Sequence, residues 1–195
     1  GSPNAVSAPP GLTFVVVSDD AKEKMKNRKT PIASFYANLM TFDGYYEKKW
    51  FPYTMPISDI YGLRAAFNLI AGDKTLYERH ARIGSATRAA VKEAGLKLHL
   101  QSGYSNTVTV FDIPECTDAK SILDEMRTKY NIMLAGSFDE LSGKVIRIGH
   151  MGENARLEHM VPALEALSAT LTDLGVTLQG NLADLFLKHY REFQD

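Results

Sequence analysis

From Leu96 onward the hydrophobic period of this chain falls to two, and that change most constrains what the chain can fold into. Lys97-Leu98-His99-Leu100 alternates, and so does Asn106-Thr107-Val108-Thr109-Val110-Phe111. Apolar side chains at every second position line one face of a pleated sheet. Asp118 then caps a helix that turns Ile122, Leu123 and Met126 inward. Ile132-Met133-Leu134-Ala135 reads as a short strand, and Leu141-Ser142-Gly143-Lys144 turns the chain into another. Asn154 opens a long amphipathic helix through Leu157, Val161, Leu164, Leu167 and Leu171, with Pro162 placed to kink it. After a loop bracketed by Gly175 and Gly180, Asn181 to Phe193 reads as a closing helix. The order strand, strand, helix, strand, strand, helix predicts a small α+β layer with helices packed on one face of a small sheet.

The last strand of that layer carries the most chemistry. Lys144-Val145-Ile146-Arg147-Ile148-Gly149-His150-Met151-Gly152 is an apolar run with one arginine, entering a turn with two glycines. A guanidinium stays charged and is costly to bury alone, so Arg147 needs an anion. The glycines let the backbone turn sharply or let a ligand approach it. Two partners fit the pattern: a local Asp or Glu, or the carboxylate of a bound molecule.

The N-terminal part reads differently. Thr13-Phe14-Val15-Val16-Val17-Ser18 is a continuous β-branched and aromatic run, the pattern of a strand buried on both faces of a parallel sheet. Asp19 to Met25 follows as a helix start with acids at its positive end. The run therefore requires neighbours on both edges, either from later strands or from a sheet in another polypeptide. Between Ser34 and Phe51 aromatics crowd together (Phe35, Tyr36, Phe42, Tyr45, Tyr46, Trp50 and Phe51), a surface suited to packing against a domain or subunit. The proline-braced loop Pro52-Tyr53-Thr54-Met55-Pro56 leads to a helix capped by Ser58 or Asp59, with Ile60, Leu63, Ala66, Phe67 and Ile70 on one face. Asp73 is placed to cap a second long helix that Gly95 ends, with His80 among its apolar positions and Arg79, Arg82, Arg88 and Lys92 along a solvated face.

A formal net charge of -1 leaves no basic field for nucleic acid and no polybasic membrane patch. No apolar run reaches membrane-spanning length and no signal peptide is visible, so a cytoplasmic location is expected. Cys116 is the only cysteine, in a polar turn without an activating neighbour, so neither a disulfide nor a multi-cysteine metal site can form within the chain. The opening Gly1-Ser2 matches the scar left by removing an affinity tag. Phosphate loops, His-Glu-x-x-His pairs and Gly-x-Ser-x-Gly elbows are absent, and His150 and His159 are not spaced as metal ligands. His80 on its helix face reads as a satisfied packing histidine. The residues alone thus support an anion site at Arg147 and a hydroxyl-bearing loop at Thr54.

The ordered motifs resemble the class V, fold-type I, pyridoxal-phosphate-dependent aminotransferases, nearest to the alanine–glyoxylate and serine–pyruvate group. The resemblance is carried by Ala8-Pro9-Pro10-Gly11-Leu12 with the valine-rich run, by Pro52-Tyr53-Thr54-Met55-Pro56-Ile57-Ser58 and its helix, by Glu78-Arg79-His80, and by Arg147-Ile148-Gly149-His150-Met151-Gly152. It spans nearly the whole chain and implies an α/β protein, the C-terminal part of a PLP-transferase fold. Residues 1–72 would be the remnant of a large cofactor-binding domain with its dimer and phosphate loop, the valine-rich run being among the last strands of its sheet, and 73–195 the small domain. By resemblance Arg147 binds the α-carboxylate of the substrate, and Thr54 reaches the phosphate of pyridoxal 5'-phosphate in a neighbouring subunit. That arrangement implies a homodimer or a complementary large-domain chain.

There are departures. The family's Schiff-base lysine stands five residues before the first proline of its Pro-Pro-Gly motif, where this chain has Asn4, and an amide cannot form that linkage. Trp50 and Phe51 replace polar groups of the dimer loop, which weakens the phosphate contact there. The implied function is the C-terminal portion or subunit of an enzyme moving an amino group between a small amino acid and a 2-oxo acid, inactive as this chain alone. The alternatives are a non-catalytic binding or dimerisation subunit and a free-standing small-acid-binding module of the same fold.

Overall fold

A computed structural model describes residues 1–193. The chain divides into two compact units, Gly1–Asn68 and one that begins at Leu69.

In the first unit the N-terminal turn folds back around the prolines. Ser2 is buried; its hydroxyl donates to the Pro9 carbonyl at 2.6 Å, and its amide donates to the Leu12 carbonyl at 3.1 Å. Thr13 to Ser18 does not form the expected strand: it pairs with no strand among the described residues, and Val16 is 98% exposed. Its β-branched sequence favours extension, but no ladder hydrogen bonds are supplied to either edge among the described residues. Helix α1 (Asp19–Lys26) starts on Ser18, whose hydroxyl accepts the Ala21 amide. After the single 3-10 turn Leu39–Phe42, the aromatic residues form a chain of edge-to-face contacts linking Phe35, Phe42, Tyr45, Phe51 and Tyr53. Helix α2 (Ile57–Gly72) begins at Ile57, so Ser58 and Asp59 lie in its first turn rather than at the cap. Of its expected apolar face only Ala66 is buried, while Ile60 and Phe67 are exposed.

In the second unit, helix α3 (Leu76–Glu93) starts two residues later than an Asp73 cap would place it, with Thr75 at the cap position. The Asp73 carboxylate instead accepts the amide and hydroxyl of Thr75 and pairs with Arg79 Nη1 at 2.5 Å. Strand β1 (Val108–Asp112), helix α4 (Ala119–Tyr130), strand β2 (Val145–Gly149), helix α5 (Leu157–Asp173) and helix α6 (Leu182–Glu192) follow. Asp118 caps α4 as expected, accepting the Ser121 amide at 3.0 Å, and Asn181 caps α6. Asn154 falls in a short 3-10 turn ahead of α5, which begins at Leu157.

β1 and β2 pair antiparallel with Val110 opposite Arg147 and Phe111 opposite Ile146. The two outer segments expected as strands are reduced to single bridges, Leu98 with Phe111 and Ala135 with Arg147. On the Ala135 side the segment follows closely on α4, which Asn131 ends in the left-handed conformation, and only Ala135 bridges to β2. Thr109, Phe111, Ile146 and Ile148 are buried on the inner face. Phe111, Ile146 and Ile148 belong to one core with Ile83 and Val91 of α3, Ile122 and Met126 of α4, Leu164, Leu167 and Leu171 of α5, and Phe186 of α6. The expected α+β layer is therefore present, and pleat alternation places Arg147 on the sheet face turned away from that core.

The α3 arginines are not a solvated face. Arg79 Nε donates to the Ala155 carbonyl at 2.9 Å, Arg82 Nε to the Tyr190 carbonyl at 2.7 Å, and Arg88 Nη1 to the Ser105 carbonyl at 3.0 Å. They are ties between α3 and three later segments, and helical charge spacing cannot reveal partners so far along the chain.

Candidate functional site

Arg147 sits at the centre of β2, half-buried, with its backbone held on both sides. It is registered opposite Val110, and its amide donates to the Ala135 carbonyl at 2.7 Å. Its side chain spends one donor, Nε, on the Gly136 carbonyl at 2.5 Å, and its guanidinium carbon lies 5.5 Å from the centre of the Phe138 ring. No carboxylate among the described residues forms an ion pair with it. Asp112, on β1 and on the same outer face, is already engaged. It takes Lys97 Nζ at 2.7 Å and His99 Nδ1 at 2.8 Å. The Lys97 hydrogen bond, helped by His99, holds the Asp112 carboxyl below the usual carboxylate range. The local ion pair that the sequence left open for Arg147 is thus not formed, and Nη1 and Nη2 remain available to an anion.

The turn after β2 is fixed by two histidines. His150 is fully buried; its Nδ1 donates to the Asn106 carbonyl at 3.1 Å, so Nε2 must accept from the Thr109 hydroxyl at 2.8 Å. Burial pushes the His150 imidazole down to about 4, with Arg88 and His80 acting in the same direction. Gly152, at φ 59, donates its amide to His80 Nε2 at 3.1 Å, and His80 Nδ1 donates to the Leu76 carbonyl at 2.7 Å. A side chain at Gly152 would strain that left-handed conformation. His80 is the satisfied packing histidine its helix position suggested. These bonds pin the end of β2 to α3 and β1, so Arg147 stands on a rigid element rather than a loop.

Thr54 lies in the irregular loop before α2, exposed, and its hydroxyl makes no hydrogen bond among the described residues. Asn4 is exposed in the N-terminal turn, where its carbonyl accepts the Ser7 amide at 3.1 Å. Thr54 and Asn4 belong to the first unit and Arg147 to the second. The groups missed from the sequence are the Gly136 carbonyl and the Phe138 ring. A backbone carbonyl leaves no mark in a sequence, and Phe138 shows no periodicity. No cluster of His, Cys, Asp and Glu able to hold a metal ion occurs among the described residues, and none of their helices is long and apolar enough to cross a membrane.

No family model matches the chain. Individual relatives do. The serine–glyoxylate aminotransferase of Arabidopsis thaliana is 35% identical over 199 residues, covering 97% of this chain and 49% of that protein. Among solved structures, the pyridoxamine–pyruvate aminotransferase of Mesorhizobium loti superposes with a TM-score of 0.88 at 31% identity, over 96% of this chain and 50% of that one. The ureidoglycine–glyoxylate aminotransferase of Bacillus subtilis superposes with a TM-score of 0.90 at 28% identity, over 98% and 51%. The chain spans about half the length of the curated relatives it matches.

Proposed function

We propose that this chain, homologous to the C-terminal half of the class V pyridoxal-phosphate-dependent aminotransferases, provides the carboxylate-binding wall of an enzyme that moves an amino group between a small amino acid and a 2-oxo acid such as glyoxylate or pyruvate. One observation carries this reading: a half-buried guanidinium on a rigid strand has no carboxylate among the described residues to neutralise it. Arg147 then binds the α-carboxylate through Nη1 and Nη2, and a fixed two-point contact sets the orientation of Cα. Pyridoxal phosphate, when bound, supplies an electron sink for the charge that develops at Cα.

The residues present fit that cofactor only in part. Thr54 offers a free hydroxyl, which suits a phosphate oxygen of a cofactor held largely by a neighbouring subunit. Asn4, at the position of the family's Schiff-base lysine, offers an amide that cannot attach to the cofactor or carry the proton between Cα and the ring. Residues 1–72 are read as the part that completes a large cofactor-binding domain, and 73–195 as the small domain that brings Arg147. Asn4 also favours a second reading, in which the chain is a non-catalytic subunit that binds the substrate acid and pairs with a lysine-bearing partner.

Substitutions at two positions test these statements. Arg147→Ala or Arg147→Lys in the complete assembly is expected to weaken binding of pyruvate or glyoxylate by about 2–5 kcal/mol, the cost of truncating one partner of a desolvated charge pair. Unchanged affinity removes the carboxylate role. Borohydride reduction in the presence of pyridoxal phosphate is expected to trap nothing at position 4, whereas Asn4→Lys is expected to yield an adduct there. An adduct mapped to position 4 of the unaltered chain would refute the assignment of Asn4.

A further inference from the structure

The loop between α4 and β2 touches the Arg147 side chain twice, once through a backbone carbonyl and once through a ring. Gly136 takes Nε through its carbonyl, and two residues later the Phe138 ring lies under the guanidinium carbon at 5.5 Å. Phe138 is 74% exposed and takes no part in the buried core. A large aromatic left this open contributes little burial, and its ring meets no other aromatic ring among the described residues. The loop holds it in place nonetheless. The Phe138 carbonyl accepts the Leu141 amide at 3.1 Å, and Asp139 follows at φ 48, an uncommon conformation for a residue with a side chain. Its carbonyl accepts the Ser142 amide at 3.1 Å, and the Leu141 carbonyl accepts the Lys144 amide at 3.1 Å, so the turn runs directly into β2.

We propose that Phe138 is a positioning residue for Arg147: its ring covers one face of the guanidinium while the Gly136 carbonyl holds Nε, so that the Nη1 and Nη2 edge is presented to a carboxylate in a fixed plane. This rests on the reading of Arg147 as the carboxylate-binding group. The physical division of labour is specific. A ring face attracts the cation through its quadrupole without using an N–H donor. A carboxylate or a second carbonyl in the same place would consume the donors the ligand needs. Guanidinium and carboxylate meet best as two coplanar forks, so an arginine free to rotate loses part of that contact to side-chain entropy. The Gly136 bond alone fixes one atom of the plane, and the ring fixes its tilt.

The test uses the full chain, labelled with nitrogen-15, and sodium pyruvate as the probe. The Arg147 Nε–H resonance is assigned by its loss in Arg147→Lys. Pyruvate is expected to shift that resonance in the parent chain. Phe138→Ala and Phe138→Leu are expected to weaken binding by about two- to five-fold with the thermal midpoint unchanged, while Phe138→Trp, with the stronger quadrupole, binds as well as the parent or better. Leucine keeps the apolar bulk and loses the ring, so parental affinity in Phe138→Leu overturns the proposal. If pyruvate leaves the Arg147 resonance unmoved in the parent, the carboxylate reading of Arg147 fails. Positioning is then judged separately from hydrogen exchange of the same Nε–H. Faster exchange in Phe138→Ala and Phe138→Leu but not in Phe138→Trp upholds it, and equal exchange in all four chains overturns it.

Discussion

At the scale of single residues, the second unit places its cations by what surrounds them. Arg79, Arg82 and Arg88 each donate to a main-chain carbonyl of a later segment, whereas Arg147 has a carbonyl, a ring and two unused nitrogens. His150 makes the complementary point for a neutral group. It is fully buried with both ring nitrogens bonded, and burial lowers its imidazole from 6.5 to about 4. A folded-state value below the unfolded one means that protonation favours the unfolded chain. The contribution is therefore complete above pH 6.5 and is lost as pH falls towards about 4. Between pH 7 and pH 5 this group is expected to cost about 2 kcal/mol of stability. Urea unfolding of the parent and of His150→Gln at the two pH values checks it. The variant is less stable at pH 7 but should lose about 2 kcal/mol less on acidification, and identical pH slopes would remove His150 as the cause.

At the scale of elements, caps and periods were legible where their signals are local. Asp118 before Ser121 was readable because an N-cap spans a few residues, and that cap is present; Asn181, read only as the start of the closing helix, caps α6 as well. Asp118→Ala is expected to lower stability by about 1 kcal/mol in urea unfolding, and Asp118→Ser by much less. An equal loss in both variants would mean that the charge, not the cap bond, matters. Asp73 misled because its carboxylate is drawn away by Arg79 and Thr75, which hold its carboxyl well below the usual range, at about 2. The strands at Leu98 and Ala135 shrank to bridges because alternation gives direction to side chains and says nothing of how many ladder bonds the neighbour can reach. The face of β2 that carries Arg147 was legible, since Ile146 and Ile148 flank it at period two. The loop that meets it there was not, since Gly136 and Phe138 belong to an irregular segment.

For the molecule as a whole, the unequal finish of its two units has a consequence that can be measured. The second unit closes a core on both layers, while the first leaves Phe14, Val15, Val16, Phe35, Tyr36, Tyr46, Trp50 and Tyr61 exposed. Exposed apolar surface of that extent, with an unpaired extended run beside it, drives association. At tens of micromolar the chain is expected to sediment above its 21.6 kDa monomer mass and to bind an apolar fluorescent dye. Val16→Lys should lower both signals, and a dye-silent monomer in the parent would contradict this account. The sequence by itself determined the α+β layer, the Asp118 cap, the extended tendency of Thr13 to Ser18, and a lone arginine in an apolar strand, because each rests on residues within one or two turns or pleats of one another. Only the tertiary structure decided that Asp112 is spent on Lys97 and His99, that Gly136 and Phe138 brace Arg147, and that Thr13 to Ser18 has no partner strand among the described residues. Those outcomes depend on register and loop path, which bring together groups far apart along the chain, and no local pattern encodes them.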